Sequence, residues 1–156
     1  MSGTIDARLA DLGIALPAAA APAANYVPYA ISGNLVFVAG QIPFKTDGSI
    51  EHKGRLGADY SVDQGYESAK LCGLNIIAQV KAALGDLDRV TRIVKLGGFV
   101  QCTPEFTDHP KVINGASDLM VEVFGKEIGG HARFAVGAPA LPLGVATEVD
   151  AIVEFK

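Results

Sequence analysis

Between Ser61 and Gly85 the sequence spells out a long amphipathic helix with both ends marked. Ser61 and Gln64 have the spacing of a capping box, in which each side chain satisfies a backbone donor at the helix start. Val62, Tyr66, Ala69, Gly73, Ile76 or Ile77, Val80 and Leu84 recur with the helical period, and Gly85 stands where a left-handed C-terminal cap belongs. A helix of this length with one apolar stripe has to lie on something flat and apolar. A second helix, from Pro110 to about Phe124, repeats the demand through Val112, Ala116, Leu119 and Val123. Thr107 or Asp108 caps it, Pro110 lies in its first turn and Gly125 closes it.

The remaining patterns supply a sheet. Leu35–Ala39 is a buried-strand run ending at Gly40, Arg92–Gln101 reads as a strand, and so does Ala132–Val136. From Val145 to Phe155, apolar or small residues at every odd position alternate with Glu148, Asp150 and Glu154, the mark of a strand with one buried face. Lys45–Gly48 carries turn chemistry. Ile5, Leu9 and Leu12 make a short N-terminal helix stopped by Gly13, and Pro17–Pro28 is too broken by proline for anything but an extended crossing segment. The reading is an α+β chain with two helices on one face of a sheet, one domain over 1–156: an N-terminal helix and Ala/Pro arm (1–25) and a core (26–156).

Composition narrows the function. With 49% hydrophobic and 19% charged residues among 156, the chain can bury a core and is not disordered. A net charge of −4 argues against a track for nucleic-acid phosphates. Cys72 and Cys102 form no C-x-x-C pair and sit in apolar company, which reads as two buried thiols, with a reactive Cys102 as the alternative. The longest uncharged stretch is interrupted by Pro17, Pro22, Pro28, Gly33 and Gly40, so no membrane helix is expected. Asp6, Arg8 and Asp11 spoil a signal peptide, and a cytoplasmic location follows. His52, His109 and His131 lie far apart and none has a metal-ligand spacing; phosphate-binding glycine loops and a nucleophile elbow are missing. The expectation is chemistry without metal or cofactor.

Arg133 resists a bland account. Inside the apolar strand Ala132–Val136 its guanidinium must reach water or meet an anion. Either it pairs internally with a carboxylate such as Glu148 on a neighbouring final strand, or it forms a fork at the base of a pocket for a substrate carboxylate. Arg133, the Ala140-Leu141-Pro142 step and the run Ala146–Ile152 resemble the C-terminal signature of the RidA (YjgF) family. Gly33–Pro43 is similar to that family's N-terminal strand motif, and Tyr26, seven residues before Gly33, stands at the spacing of its pocket tyrosine. Asn75, Leu87–Val90, and Phe106 with Asn114 continue the likeness, which runs from Tyr26 to the end. Ala24-Asn25 in place of Gly-Pro, Ala135 in place of a cysteine, Ser117 in place of an aromatic, and the extra N-terminal segment point to a longer RidA-like subgroup, often labelled endoribonuclease L-PSP.

The resemblance implies a chorismate-mutase-like fold with a mixed sheet, and a homotrimer with clefts between subunits. It implies deamination of reactive enamines and imines, such as 2-aminoacrylate, to 2-keto acids and ammonia. Carried over, Arg133 binds the substrate carboxylate, Glu148 orients or activates water, Tyr26 helps close the pocket, and Gly40 approaches the ligand through its backbone. Asn114 belongs to the same substrate-binding set. Positioning and one carboxylate are physically sufficient for so reactive a bond. Simpler roles stand beside these: Tyr26 as an anchor for the arm, and Gly40 as a strand-end turn. A non-catalytic trimer binding a small carboxylate or keto acid is the competing reading. Ribonuclease activity is disfavoured, because RNA cleavage wants paired acid–base groups and a basic track.

Overall fold

A computed structural model describes residues 3–156. Helix α1 (Thr4–Asp11) is followed by the extended arm, then by strands β1 (Tyr29–Ser32) and β2 (Leu35–Gln41). Helix α2 (Val62–Leu84), strand β3 (Val90–Gln101), helix α3 (His109–Gly129), and strands β4 (Ala132–Ala138) and β5 (Thr147–Phe155) complete the chain. The five strands form one sheet in the order β1-β2-β5-β3-β4. Every pairing is antiparallel except β3 with β4, which α3 connects as a crossover, so the sheet is mixed.

Both long helices lie on one face of this sheet and pack against each other. The capping box at Ser61 and Gln64 is formed, and Gly85 takes φ +77 at the C-terminal cap. Close packing of the helices depends on Gly115, where a Cβ would overlap the carbonyl oxygen of Tyr66. The core between helices and sheet holds Ile76, Ile77, Leu96, Ile113, Leu119 and Met120, each at most 1% exposed. Its polar members are neutral and mostly satisfied: Ser68 Oγ and Thr147 Oγ1 share a hydrogen bond of 2.7 Å. Cys72 lies with them, and burial pushes its thiol up to about 12.

Several boundaries differ from the sequence expectation: β3 begins at Val90, β4 runs to Ala138 and β5 begins at Thr147. Asp108 occupies the cap position of α3 without a side-chain cap bond; its carboxylate lies 3.3 Å from Lys111 Nζ instead. Gly125 does interrupt α3, at φ +80, yet the helix resumes and runs to Gly129. Strand β2 continues through Gly40 to Gln41, because a register shift between Val38 and Gln41 absorbs the glycine as a bulge.

The N-terminal segment is fastened at several points. Asp88 Oδ2 and Oδ1 accept from Thr4 N (2.7 Å) and Ile5 N (2.8 Å), Asp6 pairs with Lys81 at 2.7 Å, and Leu9 is buried. Further along, Gln79 Nε2 donates to Ala20 O at 2.8 Å, drawing the arm across the end of the molecule.

Candidate functional site

Strand alternation decides which way each candidate residue points. The Thr147 side chain bonds Ser68 on α2, so its neighbour Glu148 faces the side of the sheet that no helix covers. Glu148 stands directly across from Phe99 on β3 and beside the bulge in β2. A Cβ at position 40 would overlap Glu148 Oε1, so the glycine is what lets the carboxylate lie against the strand.

Glu148 forms part of a pocket of about 210 Å3 whose walls include Ala20–Ala23 of the arm, Tyr26, Gly40, Phe44 and Leu143. Burial, and then the charge of Asp150, push the Glu148 carboxyl above the usual carboxylate range; burial does the same to Asp150. Tyr26 is half exposed at the mouth. Leu143 is 65% exposed, and the turn that carries it holds φ +58, an uncommon conformation for a branched side chain. Asn75 steadies another wall by donating to Phe44 O at 2.8 Å and Leu71 O at 2.9 Å.

Arg133 lies elsewhere. From the edge strand β4 it turns to the helix-covered side, where Nη1 donates to Asn114 Oδ1 (2.8 Å) and Ser117 Oγ (3.0 Å), and Nη2 to Pro110 O (3.4 Å). All three acceptors are neutral groups on α3. The internal pair with Glu148 is therefore corrected: β3 separates the two strands, and the two side chains occupy opposite faces. One chain brings Arg133 together with Asn114, and Glu148 together with Tyr26 and Gly40, but does not join the two sets.

Ser117 and His131 stand in the sequence reading, but not as neighbours of Arg133. Ser117 Oγ lies 2.9 Å from His131 Nε2, and His131 Nδ1 lies 2.7 Å from Gly129 O. The carbonyl can only accept, so Nδ1–H donates to it; in the neutral ring Nε2 then accepts from Ser117, whose oxygen is left to accept from Arg133. The available signal was Asn114 and Ser117 three apart on one helical face.

The three histidines stay separate: His52 bonds Tyr60, His109 meets Cys102, and His131 meets Ser117. Among the described residues no cluster of three or more His, Cys, Asp or Glu could hold a metal ion, and no helix is long and apolar enough to cross a membrane.

Residues 6–155 match a family model described as "YjgF/chorismate mutase-like, putative endoribonuclease". Protein TCP17 of Trypanosoma cruzi is 54% identical over 155 residues, covering 99% of this chain and 96% of its own. The crystal structure of Atu1372 from Agrobacterium tumefaciens, a protein of unknown function, is 50% identical, with a TM-score of 0.88, covering 97% of this chain and 93% of that one. The structure of E. coli TdcF with bound serine is 26% identical at a TM-score of 0.62, covering 90% of this chain and 94% of that one.

Proposed function

We propose that this chain, which belongs to the YjgF/chorismate mutase-like family, hydrolyses small carboxylate-bearing imines and enamines of the 2-aminoacrylate type to 2-keto acids and ammonia. The observation that carries the reading is Arg133. Its guanidinium is aimed and held by three neutral oxygens, with no carboxylate in salt-bridge range among the described residues. A fixed cation with its charge uncompensated is a receptor for a carboxylate. The serine bound to TdcF carries such a group.

An enamine first shifts a proton from nitrogen to its β carbon to become the imine. Water then adds across the C=N bond, its proton passes by way of Glu148 to the nitrogen, and ammonia leaves as the C=O bond forms. Arg133 holds the carboxylate, Asn114 and Ser117 hold Arg133, and Glu148 orients the water and takes its proton. Tyr26 closes the pocket mouth, and Gly40 brings backbone close to the ligand. Because the two sets lie on opposite faces of the sheet, the reading requires Arg133 of one copy to meet Glu148 of another. It is therefore tied to an assembly of copies, and the resemblance to the RidA family makes that assembly a homotrimer with sites in the clefts between subunits. Phe37, Phe99, Phe134 and Val136, between 36% and 43% exposed on the open sheet face, favour such an assembly. Ribonuclease chemistry gains no support from three histidines with separate partners.

The test is ammonia and keto-acid release from imines generated in situ by a separate enzyme. Arg133→Ala and Glu148→Gln should each lose the acceleration, and a mixture of the two inactive proteins, dissociated and reassembled, should recover part of it. Release that persists in Arg133→Ala overturns the assignment. Ligand binding without ammonia release favours a carboxylate-binding protein instead.

A further inference from the structure

A second pocket, of about 380 Å3, opens where α3 begins and β4 ends, and its walls include Arg55, Cys102, Thr103, Phe106, His109 and Gly137. Cys102 Sγ lies 3.4 Å from His109 Nε2, a thiol–imidazole contact. Phe106 meets the imidazole edge-to-face at 5.4 Å between centroids, which fixes the ring's plane. Gly137 is as small as it can be where it matters: a Cβ there would stand 2.7 Å from both Sγ and Nε2. Arg55 donates from Nη2 to Pro139 O at 2.8 Å, so its charge is anchored at the rim by a neutral group. Cys72, the other cysteine, lies in the sealed core at 0% exposure and has none of these neighbours.

We propose that Cys102 and His109 form a thiol site for small carboxylates bearing an electrophilic carbon, with Arg55 selecting the negative charge. This proposal is independent of the deaminase reading. Burial holds the Cys102 thiol above its ordinary range and Arg55 pulls against that, so the resting group is the thiol and a base is needed to free the nucleophile. His109 is that base. As the first residue of α3 it lies at the positive end of a helix, which favours a thiolate beside it. In the reaction Sγ–H passes its proton to Nε2 and a sulfur electron pair forms the S–C bond. With an α-halo acid the halide leaves with its bonding pair. With an α,β-unsaturated acid the π pair takes a proton back at the α carbon. Neither case needs an oxidant or a reductant.

The probe is iodoacetate against iodoacetamide at low ionic strength, with alkylation of each cysteine followed by mass spectrometry and free cysteine as the reference thiol. Cys102 should be alkylated while Cys72 stays protected, and its preference for iodoacetate should exceed that of free cysteine about threefold or more. Arg55→Gln should remove that preference and leave the iodoacetamide rate alone. His109→Gln should slow both reagents at least about tenfold. Gly137→Ala, which crowds both reacting atoms, should slow both as well, and it decides the matter if labelling of Cys72 shows that His109→Gln has lost its fold. The proposal is overturned if Cys102 is as inert as Cys72, if its reagent preference equals that of free cysteine, or if folded His109→Gln, or Gly137→Ala in its place, reacts at the wild-type rate.

Discussion

The two faces of the sheet follow different rules. On the covered face Val36, Leu96, Val149 and Val153 are fully buried, and the polar groups that join them are uncharged and share hydrogen bonds. On the open face Glu148 and Asp150 stand two residues apart among partly exposed rings, and Lys95 lies over the Phe134 ring at 5.5 Å. The first arrangement is finished within one chain. The second leaves carboxylates desolvated and aromatics half covered, an expense that stability alone does not explain and a neighbouring copy would. The core lies wholly on the covered face, whereas the candidate site is divided: Glu148 stands on the open face, and Arg133 at the edge of the covered one, held by α3.

The difference can be broken from either side. Leu96→Ala on the covered face should cost roughly 2–5 kcal/mol, read by denaturant unfolding; a cost below 1 kcal/mol would mean that this face is not the core. Arg133→Ala should lower kcat/KM for imine hydrolysis roughly 100-fold, about 2.7 kcal/mol, with the unfolding midpoint little changed. Phe134→Asp gives up the ring's contacts with Phe99 and Lys95 and should cost the chain about 1–2 kcal/mol. It should also reduce the mass of the proposed trimer to that of a monomer, and an unchanged mass would detach the open face from assembly.

The smallest effect sharpens the contrast most. In the proposed reaction Glu148 is a base only when ionised, so that activity should be present above its folded-state pKa and lost as pH falls through it. That value lies above the ordinary 4.5, so the acid limb of kcat/KM should lie above 4.5 too. Asp150→Asn removes a like charge and should move the limb to lower pH; a limb that stays fixed removes Asp150 from the account. The linkage to stability has the opposite sense. A carboxyl raised on folding stabilises the native state most below its unfolded pKa, and that contribution is lost as pH rises through the folded value.

What the sequence made legible was whatever local chemistry writes down: the capping box at Ser61, the glycine cap at Gly85, the alternation through β5, and an arginine inside an apolar strand. Strand order was hidden, because nothing in Ala132–Ala138 says that β3 rather than β5 will be its neighbour, and that ordering is what parted Arg133 from Glu148. Strand β1 was missed because four residues carry little pattern and Ile31 is half exposed. The bulge at Gly40 reads as a strand end until the register is known. A reactive Cys102 stood as the alternative to a buried thiol, but its contact with His109 was illegible for the same reason, since the two are seven residues apart across a turn and meet beneath Gly137 on another strand.

The arm is made fast at one end by the bonds of α1 to Asp88 and Lys81, in the middle by Gln79 to Ala20 O, and at the other end by the start of β1; Ala20–Ala23 forms one side of the Glu148 pocket. The tie at Ala20 sits in the pocket wall itself, so the only stretch of wall without a fixed point of its own is the short run from Ala21 toward β1. How far that wall yields to a bulky ligand is therefore set by one amide on α2, a residue that touches no part of the chemistry; Gln79→Ala would widen the site without altering a single side chain on the sheet.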